Sequence, residues 1–210
     1  MTTSIIIPAR YGSSRYRGKP LAKILGKEMV LRVADICRKV KNVKVFIATD
    51  SKKIAKVVKN KGYNHIFTST SCLTGTDRVA EASKKVKSKI YINVQGDEPT
   101  IKPQDIEKVI VAKKKFPNHV ICGYDKIHDF EKPKSLNIPK VVVNSKGELI
   151  YISRALVPGE KKTNQKIQYH KQVCIYAFNK NQLKKFYSTK KKSETESIED
   201  IEILRFFDLN

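Results

Sequence analysis

The chain has 210 residues with 40% apolar content, enough for one good core in a single domain with an appendage. It contains no uninterrupted apolar run of about 18 residues, so no membrane-spanning helix is expected. Met1-Thr2-Thr3-Ser4 leads straight into a strand without a charged leader or cleavage site, so the cytoplasm is the expected location. The net charge of +23 suits anionic ligands, but only 8 of the 43 basic residues are arginine. The lysines are scattered along helices without interleaved aromatics, so a nucleic-acid partner is not expected.

In chain order, Ile5–Pro8 reads as an apolar strand and Val30–Val40 as a helix. Val43–Thr49 is a second strand, and Asp50-Ser51 caps a helix that runs to about Gly62. Ile66–Thr68 is a short strand, Asp77–Lys87 a helix capped by Thr74 or Thr76, and Ile90–Val94 another apolar strand. Pro103 starts a helix to Lys115. Such short strand–helix repeats predict right-handed βαβ units in a mostly parallel sheet with helices on both faces. Beyond Phe116 the pattern turns β-rich, with strands at Val120–Tyr124, Pro139–Val143, Leu149–Ser153 and Val173–Phe178 and a turn at Asn144–Gly147. These strands are expected to complete the sheet and form a β-arm. Helices at Asn181–Tyr187 and Ile198–Phe207 close the chain. The fold class is therefore α/β, with a nucleotide-binding part over 1–117 and a β-rich part over 118–210 in a single domain.

Four cysteines, Cys37, Cys72, Cys122 and Cys174, lie 35 to 52 residues apart with no histidine at ligand spacing, which points to reduced thiols. The chemistry concentrates elsewhere. The first strand runs into Arg10-Tyr11-Gly12-Ser13-Ser14-Arg15-Tyr16-Arg17-Gly18-Lys19, a loop of two glycines, two serines, three arginines and a lysine. Small residues let backbone N–H groups approach phosphate oxygens, and the cations neutralise them. The spacing is that of neither a P-loop nor a dinucleotide fingerprint. A second strand empties into Gln95-Gly96-Asp97-Glu98-Pro99, and a carboxylate facing a polyphosphate loop is a natural ligand for Mg²⁺. In this order the two motifs point to nucleotidyl transfer.

Pro8–Arg15 with Gly18-Lys19-Pro20-Leu21 resembles the signature of the 3-deoxy-manno-octulosonate (Kdo) cytidylyltransferases, the CMP-Kdo synthetases. Ala48-Thr49-Asp50, Thr74-Gly75-Thr76-Asp77-Arg78, Asn93–Pro99, Lys140-Val141-Val142, Tyr151–Ala155, Ile175–Phe178 and Ile201–Arg205 extend the similarity over nearly the whole chain. The resemblance implies a nucleotide-diphospho-sugar transferase-like fold, CTP and an acidic sugar as substrates, Mg²⁺ as cofactor and a homodimer. It implies that Arg10, Arg15 and Lys19 hold the triphosphate and the departing pyrophosphate, with Ser13 and Ser14 in the loop and Asp97 on the metal. It places Thr74, Gly75 and Arg78 on the nucleotide side, and Gln95, Arg154, Gln172, Tyr176 and Glu202 on the sugar side. Arg154 suits the substrate carboxylate, because a guanidinium can grip it bidentately.

The pattern also departs from the family. Arg17 stands where a proline is common, Gln172 where a histidine is usual, Cys174 for a glycine and Ile203 for a glutamine. Pairing of the sugar hydroxyls would change accordingly, so a modified octulosonate or a sialic-acid-like sugar is an alternative substrate. A catalytically impaired nucleotide- or nucleic-acid-binding homologue is another alternative. The family pattern continues past Asn210 into a segment whose aspartate is a second metal ligand. Three explanations stay open: a fragment, a shortened chain with weak catalysis, or a substitute carboxylate such as Glu98.

Overall fold

β1 (Thr3–Ala9) is buried along all seven residues, which a strand tolerates only when both faces of its sheet are covered. The computed structural model to which it belongs describes residues 1–12, 16–161 and 167–209. After β1 and a 3-10 turn at Lys19–Leu21 come the short strands β2 (Lys23–Ile24) and β3 (Lys27–Glu28), then α1 (Met29–Arg38), β4 (Val43–Thr49), α2 (Lys52–Asn60) and β5 (Asn64–Phe67). α3 (Gly75–Ser83), β6 (Ile90–Val94), α4 (Pro103–Lys115), β7 (Ile121–Lys126), β8 (Lys140–Val143) and β9 (Leu149–Ser153) follow. The order ends with β10 (His170–Phe178), α5 (Lys180–Ser188), α6 (Glu194–Glu199) and a 3-10 stretch at Glu202–Asp208.

These elements form two compact units, one of residues 1–121 and 174–191, the other of 122–173 and 192–210. In the first, the sheet order is β5-β4-β1-β6-β10. The first four strands are parallel, with Ile5 opposite both Val45 and Ile92. β10 closes this part antiparallel to β6, with Ile175 opposite Val94 and Phe178 opposite Tyr91. Connections β1–α1–β4 and β4–α2–β5 step one way along the sheet, whereas β5–α3–β6 steps back. Right-handed crossovers therefore place α3 on the face opposite α1 and α2. α1 packs on α4 and α3 on α5. Ile5, Ile6, Ile7, Ile47, Ile92, Val30, Val33 and Val79 are wholly buried between these layers.

In the second unit, β8 and β9 form a hairpin with Val141 opposite Ile152, turned by Asn144–Gly147, where Gly147 takes φ +77°. Lys140 of β8 lies opposite Lys171 of β10, and β7 also pairs β10. Arg205 and Glu196 are 1% and 0% exposed and form an ion pair at 2.6 Å.

The mostly parallel sheet, the two-sided helices and the β-rich arm agree with the expected fold class. Three elements differ from their predicted form. The last helix, expected over Ile198–Phe207, is α6 plus the 3-10 stretch. Ser193 and Glu196 build a capping box that starts α6 early, and Asp200 at φ +50° ends it. α3 starts at Gly75, because Thr74 is the cap and Asp77 its reciprocal third residue. The β2–β3 hairpin was not predicted; its turn holds Leu25 and Gly26 at φ +48° and +77°.

Candidate active site

Because β1, β4, β5 and β6 are parallel, their carboxyl ends lie along one side of the first unit's sheet, where open α/β sheets bind ligands. β1 ends in exposed Arg10 and the cationic loop, and β6 runs into Gln95-Gly96-Asp97. A side chain at Gly96 would place its Cβ 2.8 Å from the Pro8 carbonyl oxygen, so only glycine lets these two strand ends approach so closely. Across that junction Lys19 Nζ donates to Asp97 Oδ2 at 2.5 Å, with the two side chains 42% and 43% exposed. An ammonium and a carboxylate held together yet open to solvent can exchange each other for a phosphate oxygen and a cation.

The loop that carries Lys19 has a closed stem. Gly18 N–H donates to the Tyr11 carbonyl at 2.8 Å. Gly18 takes φ +77°, and a Cβ added there would fall 3.3 Å from the Tyr11 ring. Arg17 and Lys53 place their cations 5.8 and 5.3 Å from the centroid of the same ring. Tyr11 N–H donates to Asp50 Oδ1 at 3.2 Å, and Asp50 Oδ2 accepts from Arg78 Nη2 at 2.9 Å. Arg78 Nη1 donates to Thr68 Oγ1 at 2.5 Å. The ends of β1, β4 and β5 are thus tied through Asp50.

Of the residues expected on the nucleotide side, Ser13 and Ser14 lie outside the described residues, as does Arg15. Thr74 caps α3, accepting from Asp77 N–H at 3.2 Å and donating to Asp77 Oδ2 at 2.7 Å. Gly75 faces the Gln95 amide so closely that a Cβ there would lie 2.7 Å from Nε2. Arg78, expected to touch the nucleotide, is 2% exposed with its guanidinium given to Asp50 and Thr68, so it braces the site rather than lining it. Beside it, Asn93 donates to Thr76 Oγ1 at 3.2 Å, and Asn93 Oδ1 is a buried oxygen without a partner among the described residues.

The expected sugar-side residues fall in both units. In the first, Gln95 is half-buried and Tyr176 is 2% exposed in β10, its ring 6.2 Å from that of Phe178. In the second, Arg154 Nε donates to the Glu199 carbonyl at 2.5 Å, Nη1 to the Leu136 carbonyl at 2.9 Å and Nη2 to the Asp200 carbonyl at 3.1 Å. Its guanidinium thus holds backbone together, which was not expected. Gln172 bonds the Cys122 thiol, and the charge of Glu202 also acts on that thiol, whose pKa burial pushes up to about 12. A thiol so raised is protonated and unreactive at neutral pH. Asp50 and Tyr11 lie within the sequence motifs, but their part in tying the strand ends was not expected; the available signal was an aspartate closing a strand that runs parallel to β1.

Asp97 offers one exposed carboxylate beside the cationic loop. That suits a cation such as Mg²⁺, which takes one or two protein carboxylates and completes its shell with phosphate and water. Among the described residues no group of three or more His, Cys, Asp or Glu side chains could hold a metal by protein ligands alone.

Residues 4–210 match the family model described as cytidylyltransferase. The 3-deoxy-manno-octulosonate cytidylyltransferase of Escherichia coli is 38% identical over 205 residues, covering 96% of this chain and 81% of the relative. The mitochondrial protein of that name from Arabidopsis thaliana is 37% identical, covering 95% of this chain and 70% of its own. A solved CMP:2-keto-3-deoxy-manno-octonic acid synthetase in complex with CTP superposes with TM-score 0.90 at 37% identity, covering 99% of this chain and 86% of the other. A 4-diphosphocytidyl-2C-methyl-D-erythritol synthase from Anaerococcus prevotii, at TM-score 0.59 and 17% identity, shares the fold alone. With the fold, the strand-end site and these similarities together, the chain belongs to the cytidylyltransferase family, in its 3-deoxy-manno-octulosonate cytidylyltransferase branch.

Proposed function

We propose that the protein couples CTP to 3-deoxy-D-manno-octulosonate, giving CMP-Kdo and pyrophosphate for lipopolysaccharide synthesis. The observation that carries this is the solvent-open Lys19–Asp97 pair at 2.5 Å beside the cationic loop. The anomeric hydroxyl of the sugar attacks the α-phosphorus. An O–Pα bond forms, the bond from Pα to the β-phosphate oxygen breaks in line, and the hydroxyl proton leaves to solvent. Little covalent work falls to the protein, whose part is to position groups and stabilise charge. Lys19 and Arg10, with Arg15, hold the triphosphate and neutralise the departing pyrophosphate. Asp97 holds Mg²⁺, which when bound supplies Lewis-acid polarisation of the α-phosphate.

Thr74 and Gly75 border the nucleotide as backbone and cap, with Gln95 against them. Tyr176, Gln172 and Glu202 are the sugar-recognition candidates, and residues 118–210 the sugar-binding and dimerisation part of a single domain. Exposed Phe130, Leu136 and Ile150, at 84%, 64% and 55%, support a homodimer through that part. A cytoplasmic location accords with four cysteines that form no disulfide.

Pyrophosphate release with CTP, Mg²⁺ and a panel of acidic sugars tests the reading. Turnover with Kdo above the other acids is expected. Preference for a modified octulosonate or a sialic-acid-like sugar would move the substrate, and Gln172 in place of the family's histidine is the residue that favours such a shift. Absence of release with every acid would overturn the assignment. Light scattering of the purified chain reads the dimer.

A further inference from the structure

We infer that Asp50, held by Arg78, is the positioning residue that fixes the Tyr11–Gly18 stem, and with it Lys19, for the triphosphate. The inference rests on the nucleotidyl-transfer reading of that loop. Asp50 makes two different bonds with its two oxygens: Oδ2 to Arg78 within the frame, Oδ1 to Tyr11 N–H at the loop's first turn. Tyr11 in turn closes the stem, its carbonyl accepting from Gly18 one residue before Lys19. The route from frame to ammonium is therefore Thr68, Arg78, Asp50, Tyr11, Gly18, Lys19, with a hydrogen bond or a peptide bond at each step.

Burial gives this chain its stiffness. The Arg78 and Asp50 side chains are 3% and 11% exposed, against 42% and 43% for Lys19 and Asp97. A buried pair is little screened by solvent or salt and has few alternative partners. The charge balance matters equally. Asp50 stands at the mouth of a loop meant for phosphate, where an uncompensated carboxylate would repel the ligand. Arg78 neutralises it from behind while leaving Oδ1 to orient the backbone. Asp50 touches no reacting atom in this arrangement; it acts through the backbone of Tyr11.

The test separates anchoring from folding. The double substitution Asp50→Leu with Arg78→Met removes both charges together, a replacement that buried ion pairs often tolerate, and with them the acceptor for Tyr11. Its expected signature is a KM for CTP raised about ten- to a hundredfold, as displacement by about 1 Å produces, with the KM for the sugar acid unchanged. Thr68→Val, which leaves the pair intact and drops one bond to Arg78, should raise the KM for CTP by a smaller factor. Unchanged KM for CTP in the double variant, or equal rises for both substrates, would overturn the inference. Amide exchange in the unaltered protein decides the case should the variant not fold. The Tyr11 amide should exchange at least about tenfold more slowly than a free chain, and exchange at the free-chain rate would refute the anchor. That exchange rate is independent of turnover, so failure of the CTP reading and failure of the anchor are told apart.

Discussion

Lys19 and Lys113 are the same side chain placed at opposite ends of the first unit's strands. Lys19 follows the carboxyl end of β1, is 42% exposed, and has a carboxylate 2.5 Å away. Lys113 lies in the last turn of α4, at the amino ends of the strands, and is 1% exposed. Its ammonium donates to the Pro117 carbonyl at 3.0 Å, the His119 carbonyl at 2.6 Å and Gln182 Oε1 at 2.7 Å. All three acceptors are neutral, and burial lowers its pKa to about 8. A lysine in water next to an exchangeable partner is available to a ligand; one sunk among neutral acceptors ties α4 to the cap of α5. Exposure, more than residue type, separates the two roles.

Four experiments would break or sharpen that contrast, the largest effect first. Lys19→Ala should lower kcat/KM for pyrophosphate release by about 10²–10³, the loss typical of a charge-stabilising donor. Its melting temperature should hardly move, since exposed ion pairs contribute roughly 0–1 kcal/mol. A large drop in melting temperature would make Lys19 structural and collapse the comparison.

Lys113 predicts the reverse pattern, stability without activity. Its folded pKa lies below the unfolded value, so between about pH 8 and 10.5 the unfolded chain binds a proton that the folded chain does not. Its contribution to stability therefore rises through that window, by about 3 kcal/mol in full. Denaturant unfolding of the protein and of Lys113→Met at pH 7.5 and 10 should show the rise only where Lys113 is present, other lysines titrating alike in both. Equal slopes would contradict the buried placement.

Arg154 extends the contrast to the second unit. With its guanidinium on three backbone carbonyls, Arg154→Ala should cost about 1–3 kcal/mol in unfolding free energy. A raised KM for the sugar acid at unchanged stability would instead return Arg154 to the role of carboxylate partner. The smallest effect is expected at Gly75, where an added methyl would displace the Gln95 amide. Gly75→Ala should change substrate KM about threefold to tenfold, roughly 1 kcal/mol, and melting curves should stay near those of the unaltered protein.

Much of the site was readable from residue order. The strand–loop–Lys19 and strand–Gly96–Asp97 motifs rely on near neighbours in the chain, and a parallel sheet necessarily brings carboxyl ends to one side. Arg78 and Arg154 were not readable in the same way. A guanidinium looks the same in sequence whether it grips substrate or the chain's own carbonyls, and only packing decides which acceptors come within hydrogen-bond reach. The Asp200 break behaves likewise. Nothing in Ile198–Phe207 forbids a helix, but the early cap at Ser193 and the left-handed Asp200 split it in two.

The order of residues by itself determined the alternating apolar strands and amphipathic helices, the cationic loop, and the carboxylate that follows β6, because each depends on neighbours a few positions apart. Which charges remain open and which become frame was decided only by the tertiary structure. Burial sets the cost of leaving a charge unpaired, and burial arises when distant segments, such as Thr68, Arg78, Asp50 and Tyr11, pack against one another.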